Sequence, residues 1–195
     1  MPGRPRSVSD EQVFAAVTRV VGRVGPAGLT FAAVAQEAGL SAPALAQRYG
    51  SKKGLLMAYV GAGQAVPHAF GEAERRARSA LGALHLAFEA LVSPVSTHEE
   101  LAHSIAFLHM DLTDPDLKAH AATQGRDLCR HIETLLDRAV AAGELDATRT
   151  DTAALATTLY TTYNGALITW AIDGSGTLAR WMRRRVDAVL DPYRA

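Results

Sequence analysis

Apolar residues recur every three to four positions along the first sixty residues, which is the spacing of one face of an α-helix. The first predicted helix begins after Ser9, because Ser9 and Gln12 have the spacing of a capping box. Gly25, Pro26 and Gly28 end it. Its apolar stripe consists of Val13, Val17, Val20, Val21 and Val24.

Two short helices follow, joined by a glycine turn. Thr30 is the predicted N-cap of the second helix, and Gly39 has the position of a turn residue at its end. Ser41 caps the third helix, and Leu40 and Leu45 have the spacing of a hydrophobic staple around that cap. The arrangement predicts a helix-turn-helix.

The outward face of the third helix is built from small, weakly polar residues. With Leu45 facing the core, a rotation of about 100° per residue places Tyr49 beside it and Pro43, Ala44 and Gln47 on the opposite side. Such a face gains little from water, which indicates that something approaches it closely. In a helix-turn-helix this surface enters the DNA major groove, where Gln47 would pair with an adenine edge.

Two lysines, Lys52 and Lys53, follow Ser51, the predicted N-cap of a fourth helix. Helix N-termini favour acidic residues, because their free N–H groups carry partial positive charge. A DNA phosphate bound by these N–H groups and Lys52 would explain the lysines. The alternative is that both lysines are simply solvated.

The segment LTFAAVAQEAGLSAPALAQRYGSKKGLL resembles the DNA-binding segment of TetR-type transcriptional regulators. The matching positions are Thr30, Ala35, Gly39, Ser41, Leu45, Tyr49, Ser51, Lys52 and Leu55. The chain departs from the family pattern at Ala46, where a phosphate-contacting tyrosine is common, and at Arg48, which would supply a replacement charge. The expected contacts to double-stranded DNA, including an N-terminal arm and the thymine-methyl contacts of the third helix, are Arg4, Arg6, Thr30, Ser41, Ala42, Pro43, Ala44, Gln47, Arg48, Tyr49 and Lys52.

Helical spacing continues through the remaining two-thirds of the chain, over about residues 75–92, 98–112, 115–142, 152–172 and 177–190. The predicted fold class is therefore all-α, with about nine helices. A three-helix helix-turn-helix domain with its N-terminal arm would occupy residues 1–55, and a helical effector-binding and dimerisation bundle would occupy residues 56–195.

The last predicted helix carries an apolar stripe that, with the uncharged helix before it, exceeds what a small bundle buries alone. We therefore expect a homodimer with a four-helix interface, which the TetR resemblance also implies. The stripe consists of Leu178, Trp181, Met182, Val186 and Val189.

Composition and charge support this division. The chain is 48% hydrophobic and 21% charged, an ordinary globular balance. Residues 1–60 hold seven basic against three acidic groups, a net +4, and the rest carries −4, as expected for a polyanion-binding module joined to another domain. The location is predicted from two further features of the sequence. The single Cys129 cannot form an internal disulfide, and the N-terminus has no apolar run of the kind found in secretory signals, so we expect a cytoplasmic location. Six threonines and Asn164 in the uncharged run 152–172 favour a buried helix over a membrane span.

Catalysis has little support in the sequence. Glu100 and His103 form an E-x-x-H pair, but a di-metal site needs a second one. Cys129 and His131 face different ways on a helix, which makes a thiol–imidazole nucleophile improbable. From both observations we expect no enzyme activity, no metal and no cofactor. A cavity for a small, largely uncharged effector is better supported. Its predicted lining is Phe107, Met110, Thr161, Tyr163, Asn164 and Trp170.

Together these features predict a ligand-responsive DNA-binding regulator. Repression is the commoner mode among the proteins that the chain resembles, so we expect a repressor that its effector releases from a palindromic operator with half-sites about 34 Å apart or a multiple of that. The alternative is a helical small-molecule-binding dimer that has lost specific DNA recognition, which Ala46 and the weakly polar outer face favour.

Overall fold

The computed structural model describes residues 8–63 and 65–195, except for the side chains of residues 104, 107 and 111. Within this part of the chain every regular element is helical, which confirms the all-α class. A short 3-10 helix at Asp191–Tyr193 follows the last of ten α-helices. The α-helices are α1 Asp10–Val24, α2 Phe31–Ala38, α3 Ala42–Tyr49, α4 Lys52–Gly61, α5 Ala65–Arg76, α6 Ala80–Val92, α7 His98–Thr113, α8 Pro115–Ala141, α9 Thr152–Asp173 and α10 Leu178–Leu190.

The helices divide into two compact units. The first comprises the residues up to Gly63 together with Ala102–Leu117, and the second comprises residues 64–101 and 118–195. The sequence pattern places the boundary after residue 55 instead. The first unit extends further because Leu56 of α4 is 1% exposed in its core and Met110 of α7 packs against the same core.

Local capping explains how the first unit positions its helices. Ser9 and Gln12 form the predicted capping box at α1. The hydroxyl oxygen of Ser51 accepts a hydrogen bond from the Gly54 N–H at 3.0 Å at the start of α4. Gly39 turns the chain between α2 and α3 at φ +68°, a left-handed conformation that favours glycine. Val24, predicted to belong to the apolar stripe of α1, is instead 45% exposed.

The chain between residues 65 and 92 forms two helices, α5 and α6, with a break at residues 77–79. Helical spacing predicts one helix from about residue 75, whereas α5 ends at Arg76 and α6 begins after Ser79. The Ser79 hydroxyl caps α6 locally by accepting from the Gly82 N–H at 3.0 Å. The Glu144 carboxylate completes the cap by accepting from the N–H groups of Ala80 and Leu81 at 2.8 and 3.2 Å, a contact that spans 64 residues of sequence.

In the second unit, α10 packs against both α6 and α9. Leu178, Met182 and Val186 are consequently at most 2% exposed within a single chain. The prediction that these three residues form a dimer surface is therefore wrong, because their apolar area is already removed from water. Trp181 and Val189 remain half-buried.

None of the described helices is long and apolar enough to cross a bilayer. The uncharged run at residues 152–172 forms α9, in which Leu155, Leu159 and Trp170 are buried in the second unit.

Gly54 provides a test of the tight junction between α3 and α4. An added Cβ would lie 2.1 Å from the Tyr49 carbonyl oxygen, so we expect Gly54→Ala to lower the free energy of unfolding by about 1–3 kcal/mol. At Gly22 of α1 a Cβ would meet nothing within 4 Å, so Gly22→Ala should raise the free energy of unfolding by about 0.5–1 kcal/mol. Urea unfolding at one protein concentration measures both; effects of equal sign would contradict the close approach at Gly54.

Candidate nucleic-acid interface

The face of α3 predicted to read DNA is exposed. Leu45 is fully buried in the core of the first unit, whereas Pro43, Ala44 and Gln47 are exposed on the other side of the helix. Ala42 is half-buried. The rotation inferred from sequence is therefore present, and Gln47 contributes the one amide side chain among these three exposed residues.

Thr30 and Ser41 act as helix caps in this unit. The Thr30 hydroxyl oxygen accepts from the Ala33 N–H at 3.1 Å, and the Ser41 hydroxyl oxygen accepts from the Ala44 N–H at 3.3 Å. Each hydroxyl keeps its own hydrogen, which can still be donated to a phosphate oxygen.

The two lysines at the start of α4 have different surroundings. The Lys53 ammonium lies 2.8 Å from a carboxylate oxygen of Asp114 and 2.7 Å from one of Asp116, and these contacts raise the pKa of Lys53. Lys52 instead donates to the backbone carbonyl of Ala27 at 3.1 Å, which orients the ammonium without neutralising it. A DNA phosphate is therefore not needed to explain Lys53, because Asp114 and Asp116 already provide negative charges beside its ammonium.

Asp114 also caps a helix. One of its carboxylate oxygens accepts from the N–H groups of Asp116 and Leu117 at 3.0 and 3.3 Å, at the start of α8. The other contacts Lys53. The Lys53 hydrogen bond, followed by these backbone hydrogen bonds, lowers the pKa of Asp114.

Arg48 and Tyr49, both predicted to contact DNA, meet at Asp10 of α1. Arg48 donates to the Val8 carbonyl at 2.8 Å and lies 2.8 Å from the Asp10 carboxylate. The Tyr49 hydroxyl donates to the same carboxylate. Burial and then the Asp10 contact raise the pKa of Tyr49 to about 12, so the phenol is neutral. The Tyr49 hydroxyl has one hydrogen and must release Asp10 before it can donate to a phosphate, whereas the Arg48 guanidinium has further N–H groups that can still be donated.

Lys52 differs from the described basic side chains near it in its partner, which is a backbone carbonyl and not a carboxylate. Arg19 and Arg23 share the Glu37 carboxylate at 2.7 and 3.3 Å, and these hydrogen bonds lower the pKa of Glu37. Among the described lysine and arginine side chains of residues 8–63, Lys52 alone has no carboxylate within 4.0 Å. Arg4 and Arg6 lie outside the described residues.

The residues predicted to line an effector cavity do not share one of the described cavities. Met110 packs in the core of the first unit, and the Phe107 side chain lies outside the described part. Trp170 is 3% exposed, its ring nitrogen donates to the Gly176 carbonyl at 3.3 Å, and its ring lies 4.1 Å from that of His98. Met110 and Trp170 therefore have structural roles as core residues.

The other three predicted effector residues lie on α9. Thr161 is exposed, and its hydroxyl donates to the Thr157 carbonyl at 3.0 Å. The Asn164 amide donates to the Tyr160 carbonyl at 2.9 Å. Tyr163 stacks on Phe88 with 5.6 Å between ring centroids, and burial raises the pKa of its phenol to about 12.

The residues considered for catalysis have other contacts. Glu100 accepts from the Ser96 and Thr97 N–H groups at 2.8 and 3.2 Å near the start of α7, whereas a ring nitrogen of His103 lies 2.8 Å from the Gly22 carbonyl oxygen. Burial raises the pKa of Cys129, which disfavours a reactive thiolate. No group of three or more potential metal ligands occurs among the described residues.

Two parts of the chain match models of known protein families. Residues 13–59 match the family of bacterial regulatory proteins called tetR, and residues 106–186 match the tetracyclin repressor-like C-terminal domain. The two matches together span about two thirds of the chain. The chain therefore belongs to the TetR family of transcriptional regulators. No curated protein sequence matches it.

Solved structures show the same fold. A TetR transcription regulator from Haloarcula marismortui is 18% identical, with a TM-score of 0.75 over 95% of this chain and 98% of that one. A TetR-family regulator from Cytophaga hutchinsonii is 11% identical, with a TM-score of 0.77 over 95% and 94%. The regulator FadR from Bacillus subtilis, in complex with stearoyl-CoA, is 14% identical, with a TM-score of 0.71 over 93% and 97%.

The pairing of Lys53 can be tested by neutralising its partners. Asp114→Asn combined with Asp116→Asn leaves Lys53 without a carboxylate, so binding to random duplex DNA should tighten and the salt slope should steepen by up to about one unit.

The same double variant should also change the pH dependence of folding stability. The pKa of Asp114 is lowered in the folded protein, so the stabilising contribution of this carboxylate is complete above its unfolded pKa of about 3.9 and is lost as pH falls through the lower folded value. The stability difference from wild type should therefore be present at pH 7 and shrink below about pH 4.

Asp127→Asn combined with Asp137→Asn is the matched control, because it changes net charge equally on α8 in the second unit. Fluorescence anisotropy across a salt series and urea unfolding across a pH series give the two readouts. Equal tightening by both double variants would assign the effect to net charge alone.

Proposed function

We propose that this chain is a dimeric cytoplasmic repressor, which occupies a palindromic DNA operator and is released from it by a small-molecule effector. The observation that carries the DNA-binding part is the uncompensated Lys52 at the start of α4, directly after the exposed face of α3. An uncompensated cation beside free helix N–H groups is suited to a phosphate, and the preceding helix is suited to a groove.

The first turn of α4 supplies the rest of the phosphate site. Ser51 satisfies the Gly54 N–H, which leaves the N–H groups of Lys52 and Lys53 without partners inside the helix. The Lys52 ammonium has three N–H bonds and uses one on Ala27. Two can still be donated to phosphate oxygens, and this contact would fix the register in which Gln47 reaches base edges.

A small-molecule effector is supported by the ligands of structural neighbours. FadR of Bacillus subtilis was solved with stearoyl-CoA, and a Saccharomonospora viridis protein that is 17% identical, with a TM-score of 0.75 over 93% and 95% of the chains, was solved with choline. Both of these ligands carry charge, so they support the presence of a small-molecule effector and not its charge. We propose that the second unit binds a small effector, and from the sequence we expect this effector to be largely uncharged. To release the operator, this effector must bind the low-affinity conformation more tightly, and a difference of ~1–3 kcal/mol would weaken DNA binding by about five- to 150-fold.

The dimer surface we propose lies on α9 and the adjoining side of α10. Ile168 and Ile172 are 39% and 77% exposed on α9, on a face that also includes Gly165. The indole nitrogen of Trp181 is buried and has no hydrogen-bond partner among the described residues, and the Arg185 guanidinium lies 4.3 Å from the ring centroid. A second copy would cover the two exposed isoleucines.

A second candidate is a helical small-molecule-binding dimer without specific DNA recognition. It is favoured by Asp10, which holds both Arg48 and Tyr49, and by Ala46 on the α3 flank. Selection of binding sites from a random duplex library separates the two candidates. Enrichment of a two-fold symmetric sequence supports the repressor, and salt-dependent binding without enrichment supports the second candidate.

Lys52 and Gln47 should have separable effects on DNA. Lys52→Ala removes a phosphate contact, so we expect weaker binding to all duplexes and a salt slope flatter by about one unit. Gln47→Ala should instead relax preference at one base position, because an amide reads a base edge. Lys118→Ala, an exposed lysine on α8, should change neither property. Titrations on selected and scrambled duplexes measure both, and equal loss of preference from Lys52→Ala and Gln47→Ala would contradict these roles.

The proposed dimer surface can be tested by adding charge to it. Ile168→Glu combined with Ile172→Glu should dissociate the dimer, because like carboxylates would face each other across a two-fold axis. Light scattering should then give the mass of a single chain, 20.7 kDa, in place of about twice that value. Leu112→Glu, at a 63% exposed position on α7, is the control and should remain dimeric. A dimer that survives the double variant would place the interface elsewhere.

A further inference from the structure

A cavity of about 270 Å³ lies between α6 and α10 in the second unit. Phe88, Met182 and Val186 contribute apolar atoms to its floor, and each is at most 1% exposed. Arg180 and Arg183 of α10 line its rim. None of the residues predicted to bind DNA or the effector lines it. Its volume is near the lower limit for small-molecule sites, so it suits a ligand of about ten non-hydrogen atoms.

The rim of this cavity has an excess of positive charge. Neither Arg180 nor Arg183 has a carboxylate within 4.0 Å among the described residues, and Glu89 of α6 is the acidic group in the lining. His85, on the same wall as Glu89, lies 3.0 Å from a carboxylate oxygen of Asp187, which also contacts Arg194 at 3.2 Å. Burial lowers the pKa of His85, so the imidazole is neutral near pH 7.

We propose that the cavity binds a small organic monoanion with an apolar body, of the aryl or short alkyl carboxylate class. The body would occupy the cavity that Phe88, Met182 and Val186 bound from beneath, while Arg183 and Arg180 would bind the carboxylate through the paired N–H groups of guanidinium. Two arginines against one glutamate leave a single net positive charge, which matches a monoanion.

Benzoate is a suitable probe, with benzamide as its uncharged isostere and benzylamine as its cationic counterpart. Calorimetric titration of the full-length protein, without DNA, should show benzoate binding at least about fivefold tighter than benzamide, because a hydrogen bond to a charged group outweighs one to a neutral group. Benzylamine should bind more weakly than either. Amide NMR shifts should concentrate at residues 179–186 of α10 and 85–89 of α6.

Variants at the rim should shift affinity in opposite directions. Arg183→Ala removes a carboxylate contact from an exposed position and should weaken benzoate binding about fivefold or more, with little effect on benzamide. Glu89→Gln removes the repelling charge and should tighten benzoate binding. Arg184→Ala, an exposed position of α10 outside the cavity lining, should leave it unchanged.

Three results would overturn the proposal: equal affinity for benzoate and benzamide, equal loss from Arg183→Ala and Arg184→Ala, or benzoate-induced shifts away from these two helices. All the measurements use the DNA-free protein. Their failure would therefore leave the operator-binding proposal intact, and failure to bind an operator would leave this one intact.

Discussion

The proposed DNA-binding surface depends on which of its positive charges are paired with carboxylates at the start of α4. Two adjacent cations there would repel each other and the positive end of the helix, so their partners determine what the helix can bind. Asp114 and Asp116 neutralise Lys53, whereas a backbone carbonyl holds Lys52 and leaves its charge in place. The surface thus combines one oriented cation with free N–H groups, an arrangement that is suited to a single anion at a fixed position.

Asp10 has a comparable influence on the neighbouring helix. Its carboxylate holds Arg48 and the Tyr49 hydroxyl while no polyanion is present, and it thereby connects the start of α1 to the end of α3. A phosphate that approaches these two residues competes with an anion already in place. The proposed phosphate contacts would therefore not be equivalent, because a phosphate at Lys52 would meet no carboxylate, whereas one at Arg48 or Tyr49 would meet the negative charge of Asp10.

Features that depend on nearby residues could be predicted from the sequence, and those that depend on distant partners could not. The Ser9 capping box, the Ser41 cap and the outward position of Gln47 follow from spacings of a few residues, and the structure contains all three. The carboxylates that pair with Lys53 lie about sixty residues further along the chain, so the sequence alone suggested phosphate instead. Similarly, an apolar stripe on α10 has the same sequence pattern whether it packs against the chain's own helices or against a second copy. Met182 is buried within the single chain, which shows that this part of the stripe packs against the chain's own helices.

The composition of the first unit affects how this regulator can be made and divided. The described residues proposed to read DNA all precede Gly63. The unit nevertheless also includes Ala102–Leu117, which provides the anions of Lys53, the side chain of Met110 and the His103 contact to Gly22. During synthesis, the described residues proposed to read DNA therefore leave the ribosome well before the rest of the first unit has been made. A fragment cut at residue 63 would expose an unpaired lysine and part of its core, so the compact unit that positions the proposed DNA-reading residues is discontinuous in sequence.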